Sequence, residues 1–120
     1  MKRVFVVDDN ISNLLVVEEI LSEHYELFTL SSAKLMFDLL EKIIPDLVLM
    51  DLLMPEVNGF SALKRMKEDA RFADIKVVIL TSKGDAATEA YGAELGASDF
   101  IRKPFSRLVL LDRVEAALSE

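Results

Sequence analysis

An α/β fold, a doubly wound five-stranded parallel sheet with five helices, is predicted by three observations. Val4 to Val7, Leu47 to Met50 and Val77 to Leu80 are unbroken apolar runs, the pattern of strands buried on both faces of a parallel sheet. Strand-like and helix-like stretches alternate five times, and right-handed crossovers between parallel strands place helices on both faces. Polar residues stand where the runs stop, as Asp8-Asp9, Asp51 and Thr81-Ser82, and ligands of open α/β sheets bind at the carboxyl ends of strands.

The strands are expected at about 3–8, 25–30, 46–51, 75–80 and 99–102, and the helices at about 12–23, 32–44, 60–70, 86–95 and 107–118. The first helix is read from Leu14, Val17 and Leu21, the second from Leu35, Leu39 and Ile43, and the fifth from Leu110, Val114 and Leu118, all at spacings of three and four. Ser32, Asp85 and Ser106 are candidate N-caps, Gly96 a C-terminal cap after the fourth helix, and Pro45 the stop after the second. Five strands suggest the doubly wound order 2-1-3-4-5, an order that also rests on the family resemblance given below. Its topological switch lies between strands 1 and 3, which would bring Asp8, Asp9 and Asp51 around one crevice. Strands 4 and 5 follow beside strand 3, so Thr81 and Lys103 reach the same rim.

With 120 residues, one domain spanning residues 1–120 is expected, with no repeat or linker to divide it. No cysteine is present, which excludes a disulfide or a thiolate zinc site and leaves oxygen ligands for any metal. Met1-Lys2-Arg3 is followed by too short an apolar run for a signal peptide, and no stretch approaches the roughly 20 apolar residues that span a bilayer. A cytoplasmic protein without membrane contact is therefore expected. The net charge of −7 disfavours direct nucleic-acid binding, which needs a concentrated basic face.

Three carboxylates in one crevice are costly, because two unit charges about 5 Å apart at an effective dielectric near 20 repel by roughly 3 kcal/mol. Hard carboxylate oxygens suit Mg²⁺, with Mn²⁺ as an alternative. Lys103 adds a fixed positive charge, and the Thr81 hydroxyl can donate to an oxyanion. An aspartate nucleophile, a divalent cation, an ammonium and a hydroxyl donor together describe a phosphoryl-transfer site. Position at a strand end leaves the nucleophile open among the three aspartates.

Four pieces in order carry a family resemblance: Val6-Val7-Asp8-Asp9-Asn10, then Leu49-Met50-Asp51 with Met54-Pro55 and Gly59, then Leu80-Thr81-Ser82, and Gly96-Ala97-Ser98-Asp99-Phe100-Ile101-Arg102-Lys103-Pro104-Phe105. Over essentially its whole length the chain resembles a receiver domain of two-component response regulators, a flavodoxin-like fold. The resemblance implies that Asp51 accepts a phosphoryl group from a histidine of a sensor kinase or a histidine phosphotransfer protein. It implies Mg²⁺ held directly by Asp9, mainly through water by Asp8, and by Asp51 and the backbone carbonyl of Leu53. Lys103 would pair with the phosphoryl group and Thr81 would bond it, while Phe100, at the aromatic switch position, turns toward the space Thr81 vacates. The Lys103-Pro104 peptide resembles the family's cis bond. Helix 4, strand 5 and helix 5 would form the responding surface, read by a downstream output domain or protein, with the receiver a monomer or a weak phosphorylation-dependent dimer. Such a domain is a switch with self-catalysed phosphotransfer and dephosphorylation, not an enzyme with a separate substrate. Leu53 and Lys83 occupy positions that tune phosphoryl lifetime, and an apolar Leu53 predicts slow self-dephosphorylation, while the small Ser82 leaves the acceptor open.

Plainer readings stand beside these. Asp8-Asp9 alone would be a turn and helix cap, Lys103 and Lys83 solvated charges, Phe100 a packing residue, and His24 is placed away from the crevice. A haloacid-dehalogenase-type phosphatase would use Asp8 as nucleophile, but it wants a second carboxylate where Asn10 stands. A flavodoxin-like cofactor binder would need a hydroxyl- and glycine-rich phosphate loop in place of Asp8-Asp9. A degenerate docking receiver is disfavoured by the complete acceptor and metal set. Ending at the fifth helix, the sequence is expected to be a stand-alone regulator or a piece of a longer chain. Pro104 to Leu111 resembles receivers that precede HD-type phosphodiesterase domains, and Asp9-Asn10 with Asn13 resembles receivers of hybrid kinases.

Overall fold

The computed structural model describes residues 1–54 and 57–120. In chain order it has β1 (Arg3–Val7), α1 (Ile11–Leu21), β2 (Glu26–Leu30), α2 (Ala33–Leu40), β3 (Leu47–Met50), α3 (Gly59–Glu68), β4 (Lys76–Thr81), α4 (Ala86–Glu94), β5 (Asp99–Arg102) and α5 (Arg107–Leu118). The five strands form one sheet ordered β2-β1-β3-β4-β5, all pairs parallel, as predicted. Pairing of Val7 with Met50 and of Thr81 with Arg102 brings Asp8, Asp51, Thr81 and Lys103 to one rim.

Period-2 alternation divides each strand between two cores. Phe5, Val7, Val48, Met50, Val77 and Ile79 pack on the side of α2 and α3. Val4, Val6, Leu47, Leu49, Val78 and Leu80 pack on the side of α1 and α5. Every residue of β3 is buried. Full burial of such side chains contributes about 1.5–3 kcal/mol each, which fixes the sheet's register and hence the spacing of the residues that follow each strand.

Ser32, Asp85 and Ser106 cap α2, α4 and α5 through side-chain oxygens, as their sequence positions predict. Asn10 and Asn58 cap α1 and α3 in the same way, which the spacing argument did not single out. Gly96, at φ +107°, ends α4 in a Schellman motif: Ala97 N–H donates to Gly92 O and Gly96 N–H to Ala93 O.

Helix α2 corrects the sequence reading twice. It ends at Leu40 rather than running to residue 44, because the chain turns through Lys42 and Ile43, whose N–H groups both donate to Leu39 O. Pro45 therefore follows the helix at a distance, with its predecessor kept out of helical geometry. The buried face is Ala33, Met36, Phe37 and Leu40, while Leu35 is exposed.

Candidate functional site

Asp8 and Asp51 are each the first residue after a sheet strand, and both are held by the neighbouring backbone. Asp8 N–H donates to Leu30 O at 3.1 Å and Asp51 N–H to Val7 O at 3.0 Å. The two are buried, whereas Asp9 is exposed. One carboxylate oxygen from each of Asp8, Asp9 and Asp51 lies within 4.8 Å of the others, the proximity expected from the strand order.

Lys103 follows β5 and precedes a cis Lys103-Pro104 peptide, as the resemblance implies. Its N–H donates to Thr81 O at 2.9 Å, and its side chain turns inward. The ammonium donates to Asp8 Oδ2 at 2.8 Å and to Asp51 Oδ2 at 3.2 Å, with only 14% of the side chain exposed. One partly buried cation thus bridges two buried carboxylates and offsets part of their repulsion. The three carboxylates retain excess negative charge and hard oxygen donors, which fit Mg²⁺.

The loop after β3 completes the acceptor's surroundings. Leu53 N–H donates to Asp51 Oδ1 at 3.1 Å, and the Leu53 side chain is half exposed. Gly59 N–H donates to Leu52 O at 3.0 Å, tying the start of α3 to the same loop. Pro55, part of the sequence motif, lies outside the described residues.

Thr81 is fully buried, and its Oγ1 accepts from Lys83 N–H at 3.3 Å. Among the described residues no hydrogen bond joins Thr81 to Asp51. The Lys83 and Ser82 side chains are exposed. Phe100 is buried in the core on the α3 side, where a Cβ on Gly92 of α4 would stand 3.7 Å from its ring. His24 lies exposed before β2, remote from the rim.

Two contacts were not foreseen. Asn10 N–H donates to Asp8 Oδ1 at 3.0 Å, and the Asn13 side-chain amide donates to Asp8 Oδ2 at 3.1 Å. The available signal was Asn13 three residues after the capping Asn10, whose side chain accepts its N–H.

A family model of the response regulator receiver domain matches residues 4–115. The chain belongs to that family. Among relatives of this receiver, a probable cyclic di-GMP phosphodiesterase of Vibrio cholerae is 33% identical over 115 residues, which are 96% of this chain and 26% of that protein. The protein PilH of Pseudomonas aeruginosa is 31% identical over 120 residues, covering 99% of each. A putative response regulator from Chloroflexus aurantiacus superposes with a TM-score of 0.93 at 28% identity, covering 99% of this chain and 98% of that one. The receiver spans about a quarter of the phosphodiesterase's length. As a receiver domain of a two-component response regulator, it serves phosphorylation-dependent signalling, and receivers are switch domains. Among the described residues no helix is long and apolar enough to cross a membrane.

Proposed function

We propose that residues 1–120 form one receiver domain in which Asp51 takes a phosphoryl group from a phosphohistidine of a sensor kinase or histidine phosphotransfer protein. The observation that carries this reading is the Lys103 ammonium bridging Asp8 and Asp51. An Asp51 carboxylate oxygen forms the new O–P bond as the P–N bond breaks, and the electron pair of that bond stays on the imidazole. Lys103 stands where it can follow the charge onto the phosphoryl oxygens. Asp9, Asp51 and the Leu53 carbonyl would ligate Mg²⁺ (or Mn²⁺) directly and Asp8 through water. That cation would neutralise charge developing on the transferred group.

Thr81 would then exchange its bond from Lys83 N–H for a phosphoryl oxygen, and Phe100 would rearrange against α4. Support for α4, β5 and α5 as the responding surface comes from how lightly α4 is anchored. Of its nine residues only Gly92 is buried, and Arg102 of β5 pairs with Glu89 at its first turn. On the other flank Arg113 of α5 pairs with Asp99 of β5 at 2.9 Å. A downstream output domain or protein would read that surface, from a cytoplasmic monomer or a weak phosphorylation-dependent dimer, without membrane insertion, direct nucleic-acid contact or a separate turned-over substrate. A donor protein has an apolar approach: Ile11, Leu15 and Val16 of α1 are exposed, beside a groove of about 390 Å³ that includes Val16, Ile20, Pro104 and Phe105.

Incubation with acetyl phosphate and Mg²⁺ followed by peptide mass spectrometry tests the assignment. One phosphoryl group on Asp51 is expected, and stoichiometric modification of any other residue refutes it. Lifetime provides a second measurement. The exposed, apolar Leu53 cannot orient an attacking water, so Leu53→Asn should shorten the half-life of the phosphorylated protein by roughly tenfold, less than the roughly 10² of a full general base because an amide cannot take the proton. An unchanged half-life removes Leu53 from the account.

A further inference from the structure

Asp8 is almost wholly buried, and its carboxylate carries three donors. Oδ1 accepts from Asn10 N–H at 3.0 Å. Oδ2 accepts both from Lys103 Nζ at 2.8 Å and from Asn13 Nδ2 at 3.1 Å. Asn13 is the third residue of α1. Side chains of a helix lean toward its N-terminus, so from the first turn this amide reaches back over the preceding loop to Asp8. The backbone N–H of Asn13 is taken by the Asn10 side chain at 3.1 Å. The side-chain amide is therefore additional to the cap, which would form with other residues at position 13.

We infer that Asn13 is a positioning residue for phosphotransfer: it holds Asp8 so that Lys103 is free to leave it for the phosphoryl group. Lys103 is shared between Asp8 and Asp51 before the reaction. Once a phosphoryl group is forming on Asp51, the ammonium serves that group best by giving up its bond to Asp8. Were Lys103 the only donor to Asp8 Oδ2, its departure would leave a buried carboxylate oxygen unsatisfied, which is expensive and would tether the lysine. The Asn13 amide stays behind on the same oxygen and removes that penalty. A neutral donor is the suitable group here. An ammonium or guanidinium would compete with Lys103 and with a metal for Asp8, and a carboxylate would add a fourth negative charge about 3 Å from an existing one.

This inference rests on Asp51 being the acceptor, and the experiment keeps the two apart. Wild type, Asn13→Leu and Asn13→Asp are compared by the rate of labelling from acetyl phosphate at saturating Mg²⁺, by calorimetric Mg²⁺ titration and by thermal unfolding. In Asn13→Leu, labelling should slow about tenfold while the Mg²⁺ dissociation constant stays within about twofold of wild type, a split between the chemical step and binding. In Asn13→Asp, Mg²⁺ should bind more tightly and labelling should nevertheless slow, because Lys103 is held by more negative charge. Should Asn13→Leu fail to fold, Asn13→Ala reads the same quantity in a strong helix former. The metal-free protein supplies a readout independent of labelling. Asp8→Asn should move the Asn13 side-chain amide resonances in a ¹H–¹⁵N spectrum, and Asp9→Asn should leave them in place. Labelling of Asn13→Leu at the wild-type rate overturns the inference, as does slowing in proportion to lost Mg²⁺ binding. A wild-type protein that takes no label refutes the assignment of Asp51 and this inference with it.

Discussion

Asp51→Asn is expected to take up no phosphoryl group from acetyl phosphate with Mg²⁺, and without Mg²⁺ to unfold at a higher temperature than wild type. The first outcome follows from chemistry, because an amide oxygen has neither the charge nor the basicity of the carboxylate that attacks phosphorus. The second follows from electrostatics. Asp51 is 7% exposed, and its oxygen within 4.8 Å of those of Asp8 and Asp9 implies a repulsion of about 3 kcal/mol with buried Asp8 at an effective dielectric near 20, less with exposed Asp9. Attraction to Lys103 at 3.2 Å is about 5 kcal/mol on the same scale, but the desolvation of a buried carboxylate takes back several kcal/mol. The lysine is not orphaned in the mutant, because its shorter bond to Asp8 at 2.8 Å remains. A gain of about 1 kcal/mol, or about 4 °C in Tm, is expected in chelator. Mg²⁺ should raise the Tm of wild type more than that of Asp51→Asn, since its stabilisation of the folded protein grows with the logarithm of its affinity. Stoichiometric labelling of the mutant would end the assignment of Asp51, and a mutant that melts below wild type in chelator would show that the lysine's attraction outweighs repulsion and desolvation.

The sheet was legible because β1, β3 and β4 are buried on both faces, and that condition writes itself as an uninterrupted apolar run. Convergence of Asp8, Asp9, Asp51 and Lys103 on one rim followed from strand order, since residues next to parallel strand ends can only meet at that edge. The buried face of α2 was not legible. Residues 35–37 and 39–40 are all apolar, as Leu-Met-Phe and Leu-Leu, so spacing permits more than one stripe, and contact with the sheet selects Met36, Phe37 and Leu40. The Asn13 contact was beyond reach for another reason: periodicity assigns a residue to a face, whereas this bond depends on how far one amide reaches back past the helix start. Thr81 shows the limit from the other side. Its place on the rim was predicted correctly, yet its hydroxyl bonds Lys83 N–H, a distinction set by a few ångströms of loop.

Gly59→Ala should combine a large loss of stability with a loss of labelling, and the reason is backbone contact. A Cβ at Gly59 would stand 2.6 Å from Asp51 O and 2.8 Å from Leu52 Cα. Neither atom belongs to a side chain that can rotate away, so α3 and the loop after β3 must separate. Overpacking of this kind costs about 1–3 kcal/mol or somewhat more, equivalent to roughly 10 °C in Tm. The displaced peptide also carries the acceptor: Asp51 Oδ1 is held by Leu53 N–H two residues on, and Gly59 N–H fastens the same turn through Leu52 O. Gly96→Ala is the matched control. There the strain is conformational, at φ +107°, where an L side chain is disfavoured, and the nearest groups belong to the flexible Lys67 side chain. Gly96 precedes β5, at the end of the sheet opposite the rim. Both variants should melt lower, but only Gly59→Ala should label more slowly at a temperature where both are folded. Equal labelling by the two would mean that the Asp51 loop tolerates separation from α3, and that its geometry is fixed by Lys103 and Leu53 alone.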